Sequence, residues 1–305
     1  MRRGMLVAAT IAALILTATA CSATPQPQAS LDLPAKDQAA WVMPLDQFHV
    51  AGLEQVVTAA EDVLIAECLA KSGVEWPATH DDIEGQLMWK SSSQTWSNIP
   101  LMTKESAQKW GYGFEPAGGA AAQAKKQARA KKLNAIADAT PGFEALFRPC
   151  LTAARKQLPP LSDSLNQLVA YVWDARDAAA NEKDVRDAAA RWRACLQKAG
   201  YSGLPNSPVD AMPTDALRAQ VGIPAFGKQD GGPIAAATPQ EITLALADVA
   251  CRDSSGWAKA QYAAEWDQEV KILNKNADRI VRDHDADLAT LKKDLAVLAA
   301  HPDEQ

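Results

Sequence analysis

Several short clusters in this chain carry residue types that could do chemistry. Ser106-Ala107-Gln108-Lys109 has the SxxK spacing, which sets a serine nucleophile one helical turn from a lysine base. Ser164-Leu165-Asn166 and Lys71-Ser72-Gly73 echo the elements that accompany such a pair in acyl-transfer enzymes, but they fall in the wrong order and no strand-rich segment surrounds them. His80-Asp81-Asp82 with Glu84 could hold a metal or move a proton; at a helix start the same acids complement the helix dipole and need no other reason. Asp283-His284-Asp285-Ala286-Asp287 begins like a calcium loop, yet Leu288 stands where the loop needs glycine, so a solvated ion-pair face with a partly buried His284 is the better reading. GxSxG, HExxH and a phosphate-cradling glycine loop are all missing. The expectation is a protein that is not an enzyme, with no catalytic residue, no metal and no cofactor. Trp76, Trp89, Trp96, Trp110 and Tyr112 form a candidate ligand surface, since flat rings with a polar edge can stack on wall sugars; the competing use of such rings is to plug a small core.

Cysteine does chemistry of a different kind here. The string CLxKxG occurs twice, at 68–73 and 195–200, each time ending a helical run, and each copy has a second cysteine far downstream, Cys150 and Cys251. Four cysteines allow three pairings. Chain order and the repeated motif favour Cys68–Cys150 and Cys195–Cys251, each worth roughly 4 kcal/mol as a loop closure. A zinc site fails on spacing, because no two of these cysteines lie at CxxC distance and no histidine is near.

The fifth cysteine, Cys21, follows a basic Arg2-Arg3 start, an apolar run from Met5 to Leu16 and the small residues Thr17 to Ala20. That order has the form of an export signal, and it resembles the lipobox of bacterial lipoproteins, with Ala18 in the place of the usual leucine. The resemblance implies cleavage after Ala20, a diacylglycerol on the Cys21 sulfur and fatty acyl chains such as palmitate that hold the protein on the outer face of the cell membrane. Disulfides persist in that compartment.

The elements that position these residues read as helix. Residues 1–20 form the signal peptide, and 21–40, polar and proline-bearing, a flexible tether. A first helical lobe spans 41–159, with Leu53, Val57, Ala60, Leu64 and Cys68 on one stripe and Gly73 as C-cap. It holds a Trp-rich irregular stretch, a helix from Ala120 to Ala137 with a basic face (Lys125, Lys126, Arg129, Lys131, Lys132), and a helix opened by Thr140-Pro141. Pro159-Pro160 marks the boundary. The second lobe, 160–305, begins with one long helix over Leu161–Lys198, then a Gly- and Pro-rich stretch with a short helix at Thr214–Val221. Thr238-Pro239-Gln240-Glu241 starts the next helix as a capping box, and Ser254-Ser255-Gly256 breaks it. Trp266, Val270, Leu273, Ala277, Ile280, His284, Leu288, Leu291, Leu295 and Leu298 then step by fours and threes, a heptad seam with one stutter. The fold class is all-α.

The chain has 305 residues, 48% of them hydrophobic and 22% charged, with a net charge of −6. An acidic balance argues against nucleic acid as a partner. The lipobox, the two CLxKxG helix ends, Gly111-Tyr112-Gly113, FxxCLxxA at 147–154 and ADVxC at 247–251 before a long terminal helix together resemble a group of actinobacterial surface lipoproteins. Val74 departs from the aromatic residue usual after the first motif. The resemblance implies a place on the cell envelope and a non-enzymatic accessory role beside an export or wall-assembly complex, with an envelope protein or cell-wall glycan as partner.

Overall fold

In a computed structural model of the chain, the described residues are 31–78, 102–113, 119–160, 163–210, 212–223 and 237–301. Cys21, the signal segment, the His80–Glu84 cluster, Trp89 and Trp96 lie outside them. All regular structure among the described residues is helical: a 3-10 turn at Asp46–Phe48, then α1 Leu53–Ala70, α2 Lys104–Trp110, α3 Gly119–Ala139, α4 Phe143–Gln157, α5 Ser164–Ala180, α6 Lys183–Lys198, α7 Asp215–Val221, α8 Pro239–Ser255 and α9 Trp257–Ala300. Two disulfides, Cys68–Cys150 and Cys195–Cys251, staple the lobes, joining α1 to α4 and α6 to α8. No described helix is long and apolar enough to cross a membrane.

Both CLxKxG segments end a helix in the same way. Gly73 and Gly200 turn the chain through φ +77° and +94°, and the next residue's N–H returns to the carbonyl of the leucine after the cysteine: Val74 to Leu69 and Tyr201 to Leu196, each at 3.1 Å. This is the Schellman closure, which needs a residue that tolerates left-handed backbone. Both leucines are fully buried.

The terminal helix α9, 44 residues and so about 66 Å long at 1.5 Å per residue, runs past both stapled pairs. Its first turns pack Trp257, Ala260 and Ala264 on Val185, Ala188 and Ala189 of α6; its last turns pack Leu291 and Leu298 on α1. Residues from Leu33 onward therefore cluster as one compact unit. The end of the stretch read as tether also joins this unit. Lys36 lies over the Trp266 ring at 4.9 Å, Asp37 and Val42 pair across a tight turn, and Met43 and Leu45 are buried.

Three expectations need correcting. The long helix expected over 161–198 is two: Asn181 caps α5, Glu182 leaves the helical region (ψ 141°), and Gln268 of α9 donates to its carboxylate at 3.0 Å. The six-residue step from Ala179 to Val185 does not continue one helical stripe, so burying both requires the break. The seam of α9 is also rotated. Leu288 and Leu295 are 44% and 37% exposed, and it is Asp287 and Asp294 that turn inward. Finally, Asp287 belongs to no solvated face: it is buried and accepts a 2.5 Å hydrogen bond from Ser164 Oγ. Asp283 does sit on the surface expected, beside Arg279 and Arg282.

Candidate functional site

The residues singled out for chemistry mostly serve the fold. Ser106 is the second half of a capping box: Thr103 Oγ1 accepts from Ser106 N–H at 3.0 Å, and Ser106 Oγ accepts from Thr103 N–H at 2.9 Å. Lys109 lies over the Trp110 ring at 5.0 Å. Trp76 stacks on Phe143 (5.4 Å) and touches Phe147, while its indole N–H donates to Asp62 at 2.9 Å. Tyr112 donates its hydroxyl to Asp248 at 3.1 Å, and burial pushes that hydroxyl far above its ordinary pKa. Trp76 and Tyr112 are thus committed to internal packing. The capping box at α8 is only half formed: Thr238 accepts from Glu241 N–H, but the Glu241 carboxylate accepts instead from Tyr112 N–H at 3.1 Å. Gly111 makes that approach possible, since a Cβ there would fall 2.7 Å from the Glu241 side chain. On α3, Lys125, Lys126, Lys131 and Lys132 are exposed, and Arg129 pairs with Asp62 of α1.

The arrangement that stands out lies elsewhere. A cavity of about 340 Å³ opens where the turn at 37–42, the start of α2, α5 and the α8–α9 junction meet; Trp41, Arg176, Arg252, Trp257 and Glu265 are on its walls. That is the lower end of the range for small-molecule sites, about 300–1,000 Å³. Trp41 is held at φ 50°, a left-handed conformation that a bulky side chain rarely adopts. Its ring meets Tyr262 edge-on at 5.4 Å, and Tyr262 in turn donates its hydroxyl to the Val42 carbonyl at 2.9 Å.

Behind the aromatic wall is a buried polar row. Gln261, Glu265 and Glu269 follow one another at four-residue steps on α9, all turned inward. Glu265 is 1% exposed and Arg176, facing it from α5, 3%; Arg176 Nε stops 3.6 Å from Glu265 Oε1. Gln261 donates to the other Glu265 oxygen at 3.2 Å. Glu269 accepts from Leu45 N–H at 2.9 Å, which anchors the N-terminal segment on α9. Burial raises the Glu265 carboxyl, against the pull of Arg176, and pushes Glu269 up to about 8. The same burial lowers the Arg176 guanidinium. At neutral pH the row therefore holds Glu269 mainly as the acid.

A second polar hub adjoins it. Asp248, wholly buried, accepts from Trp192 Nε1 (2.7 Å) and Tyr112, and takes both forks of Arg252 at 2.8 Å. Burial opposes the Arg252 charge, but Asp248 more than offsets it, and the guanidinium lies 5.3 Å from the Trp257 ring centre. This hub is saturated. The first row is not: Arg176 Nε and Nη2, Trp257 Nε1, Gln261 Oε1, Glu265 Oε1 and Glu269 Oε1 make no hydrogen bond. Trp41 Nε1 also makes none of good geometry, although it lies near enough to Glu265 to lower that carboxyl slightly.

A smaller cavity of about 120 Å³ is lined by His49, Ser164, Tyr171, His284 and Asp287. His284 Nδ1 meets the Phe48 carbonyl at 3.0 Å, and burial lowers the His49 imidazole against the pull of Asp287. Ser164 directs its proton to Asp287, the geometry of a helix-start tie between α5 and α9. No group of three or more His, Cys, Asp or Glu among the described residues is placed to hold a metal ion.

No known protein family matches the chain, and neither a curated protein nor a solved structure matches it. The sequence reading passed over Trp41, Arg176, Arg252, Trp257, Gln261, Glu265 and Glu269. One signal was there: Gln261-x-x-x-Glu265-x-x-x-Glu269 keeps a polar residue at every fourth position beside the apolar seam.

Proposed function

We propose that this chain is a lipid-anchored envelope protein that works by binding rather than by catalysis. The observation that carries the binding reading is the wall of the 340 Å³ cavity, where nearly inaccessible polar atoms of Arg176, Trp257 and Glu265 make no hydrogen bond. Burying such groups unpaired costs about 1–3 kcal/mol each, a cost that packing alone gives no reason to keep. Among the described residues, Ser164 of the smaller cavity gives its proton to Asp287 as a tie between two helices, and no turnover is proposed.

The location follows from separate observations. Two disulfides belong to an oxidising, extracytoplasmic compartment. The lipobox-like run ending at Cys21 supports attachment by acyl chains, and the accessory lipoproteins that the chain resembles make an envelope complex its expected neighbour. Labelled palmitate fed to cells making the full chain should appear on the protein and in the membrane fraction. Cys21→Ala should lose the label and release the protein. Label that persists in Cys21→Ala, or is missing from the unaltered chain, would rule out the anchor.

A further inference from the structure

The binding reading leaves the ligand open, and the polar balance of the Trp41–Trp257 cavity narrows it. We infer that this cavity takes a small organic anion, a carboxylate carried on a flat, largely apolar body. This inference rests on the binding reading above.

The unpartnered groups on the cavity wall are unequal in kind. Trp257 Nε1, Arg176 Nε and Nη2 and, less freely, Trp41 Nε1 are donors; Glu265 Oε1 is the one acceptor among them. Unpartnered donors on the wall thus outnumber unpartnered acceptors. Arg252 cannot supply its fork, because Asp248 holds both arms at 2.8 Å. Arg176 can: it pairs with Glu265 only loosely, Nε to Oε1 at 3.6 Å, its Nη2 makes no hydrogen bond, and a planar guanidinium matches a carboxylate with two parallel bonds. A cationic ligand fits poorly. Two tryptophans alone would suit one, but the Arg176 guanidinium and the Trp257 N–H beside them have hydrogen to give only to an acceptor. Apart from Gln38, Thr103, Lys104 and Asp253, the remaining wall is apolar (Met102 and Val249 among it), and the volume suits a one- or two-ring acid.

The donors have almost no open surface as the walls stand, so a ligand reaches them only if a wall yields. The turn bearing Trp41 is the wall best placed to do so. It is short, its internal hydrogen bonds all lie within residues 37–42, and it holds a bulky residue at positive φ. A swing of this turn would relieve strain of that kind.

The test uses the full mature chain and three probes of one shape: indole-3-acetate, the neutral indole-3-ethanol and the cationic tryptamine. Calorimetry gives affinity, and the indole N–H resonances of nitrogen-labelled tryptophan report the site. Indole-3-acetate should bind saturably and move the Trp257 and Trp41 signals. It should bind at least tenfold more tightly than tryptamine. Arg176→Lys keeps the charge, loses the fork and should weaken indole-3-acetate by about tenfold or more. Trp257→Phe keeps the ring, drops only the N–H and should weaken it several-fold; it tests the site even if the Arg176 variant does not fold. Tighter binding of tryptamine, or indole-3-acetate affinity unchanged in Trp257→Phe, overturns the anion class and leaves a binding protein of another specificity. If none of the three probes saturates or moves either indole signal, both the class and the binding reading fail.

Discussion

In the first stapled pair the Leu69 carbonyl closes on Val74 N–H at 3.1 Å, and in the second Leu196 closes on Tyr201 N–H at the same distance. The cysteine Cα atoms stand 5.5 Å apart in one and 5.6 Å in the other. Around these matching helix ends the surroundings diverge. The first pair is finished with rings, Trp76, Phe143 and Phe147 in one stack, and its charges stay toward the surface, where Arg155 meets Glu61 and Arg129 meets Asp62. The second pair is finished with buried charge: Asp248 ties Trp192, Tyr112 and Arg252 together, and the Arg176–Glu265 row lies on the other side of Trp257. A repeated local motif thus fixes how each helix ends and which helix it is stapled to. It leaves open what fills the space beside the staple: rings in one pair, a buried polar network in the other.

That contrast can be broken in several places. The staples themselves should be nearly equivalent, because loop closure depends weakly on length and the separations are 82 and 56 residues. Removing Cys68–Cys150 or Cys195–Cys251 as paired alanine variants should each cost roughly 4 kcal/mol in urea unfolding. A gap of several kcal/mol between them would show that neighbours, not closure, set the worth of each. Asp248→Asn should cost about 3 kcal/mol, since it strands the buried Arg252 guanidinium. Trp76→Phe, its counterpart in the first pair, should cost about 1 kcal/mol for one lost hydrogen bond to Asp62.

The buried row should also make stability depend on pH in an unusual direction. Glu269 has its pKa raised on folding to about 8 from an ordinary carboxylate value. Between those values the folded state binds more protons than the unfolded one, so its contribution is full below about pH 4.5 and is lost as pH rises toward 8. Melting curves from pH 6.5 to 8 should show a loss of about 2 kcal/mol, and Glu269→Gln should remove most of that slope. Burial raises the Asp294 carboxyl as well, which leaves a smaller slope of the same sign. An unchanged slope in Glu269→Gln would mean that the row does not titrate as described. The smallest effects belong to the outward face of α9: Leu288→Gln and Leu295→Gln should each stay within about 0.5 kcal/mol, whereas seam positions would cost several times that.

Much of the fold was legible before any coordinates. Thr103, Thr214 and Thr238 announce helix starts and Gly73, Gly200 and Gly256 announce ends, because each of these signals acts within a few residues, and the doubled CLxKxG favours the pairing that the structure has. The site was not legible in the same way. Glu265 and Glu269 look like ordinary solvated helix residues until α5 and the 41–45 segment cover them, and Trp41 looks like the unpatterned start of a lobe until Tyr262 and Glu269 hold the chain down. Leu288 and Asp287 are neighbours in sequence, and a rotation of about 100° exchanges their roles without changing the apolar count. Local geometry and covalent linkage are properties of the sequence itself. Which polar residue ends up buried, and whether it finds a partner there, depends on the packing of helices distant in the chain.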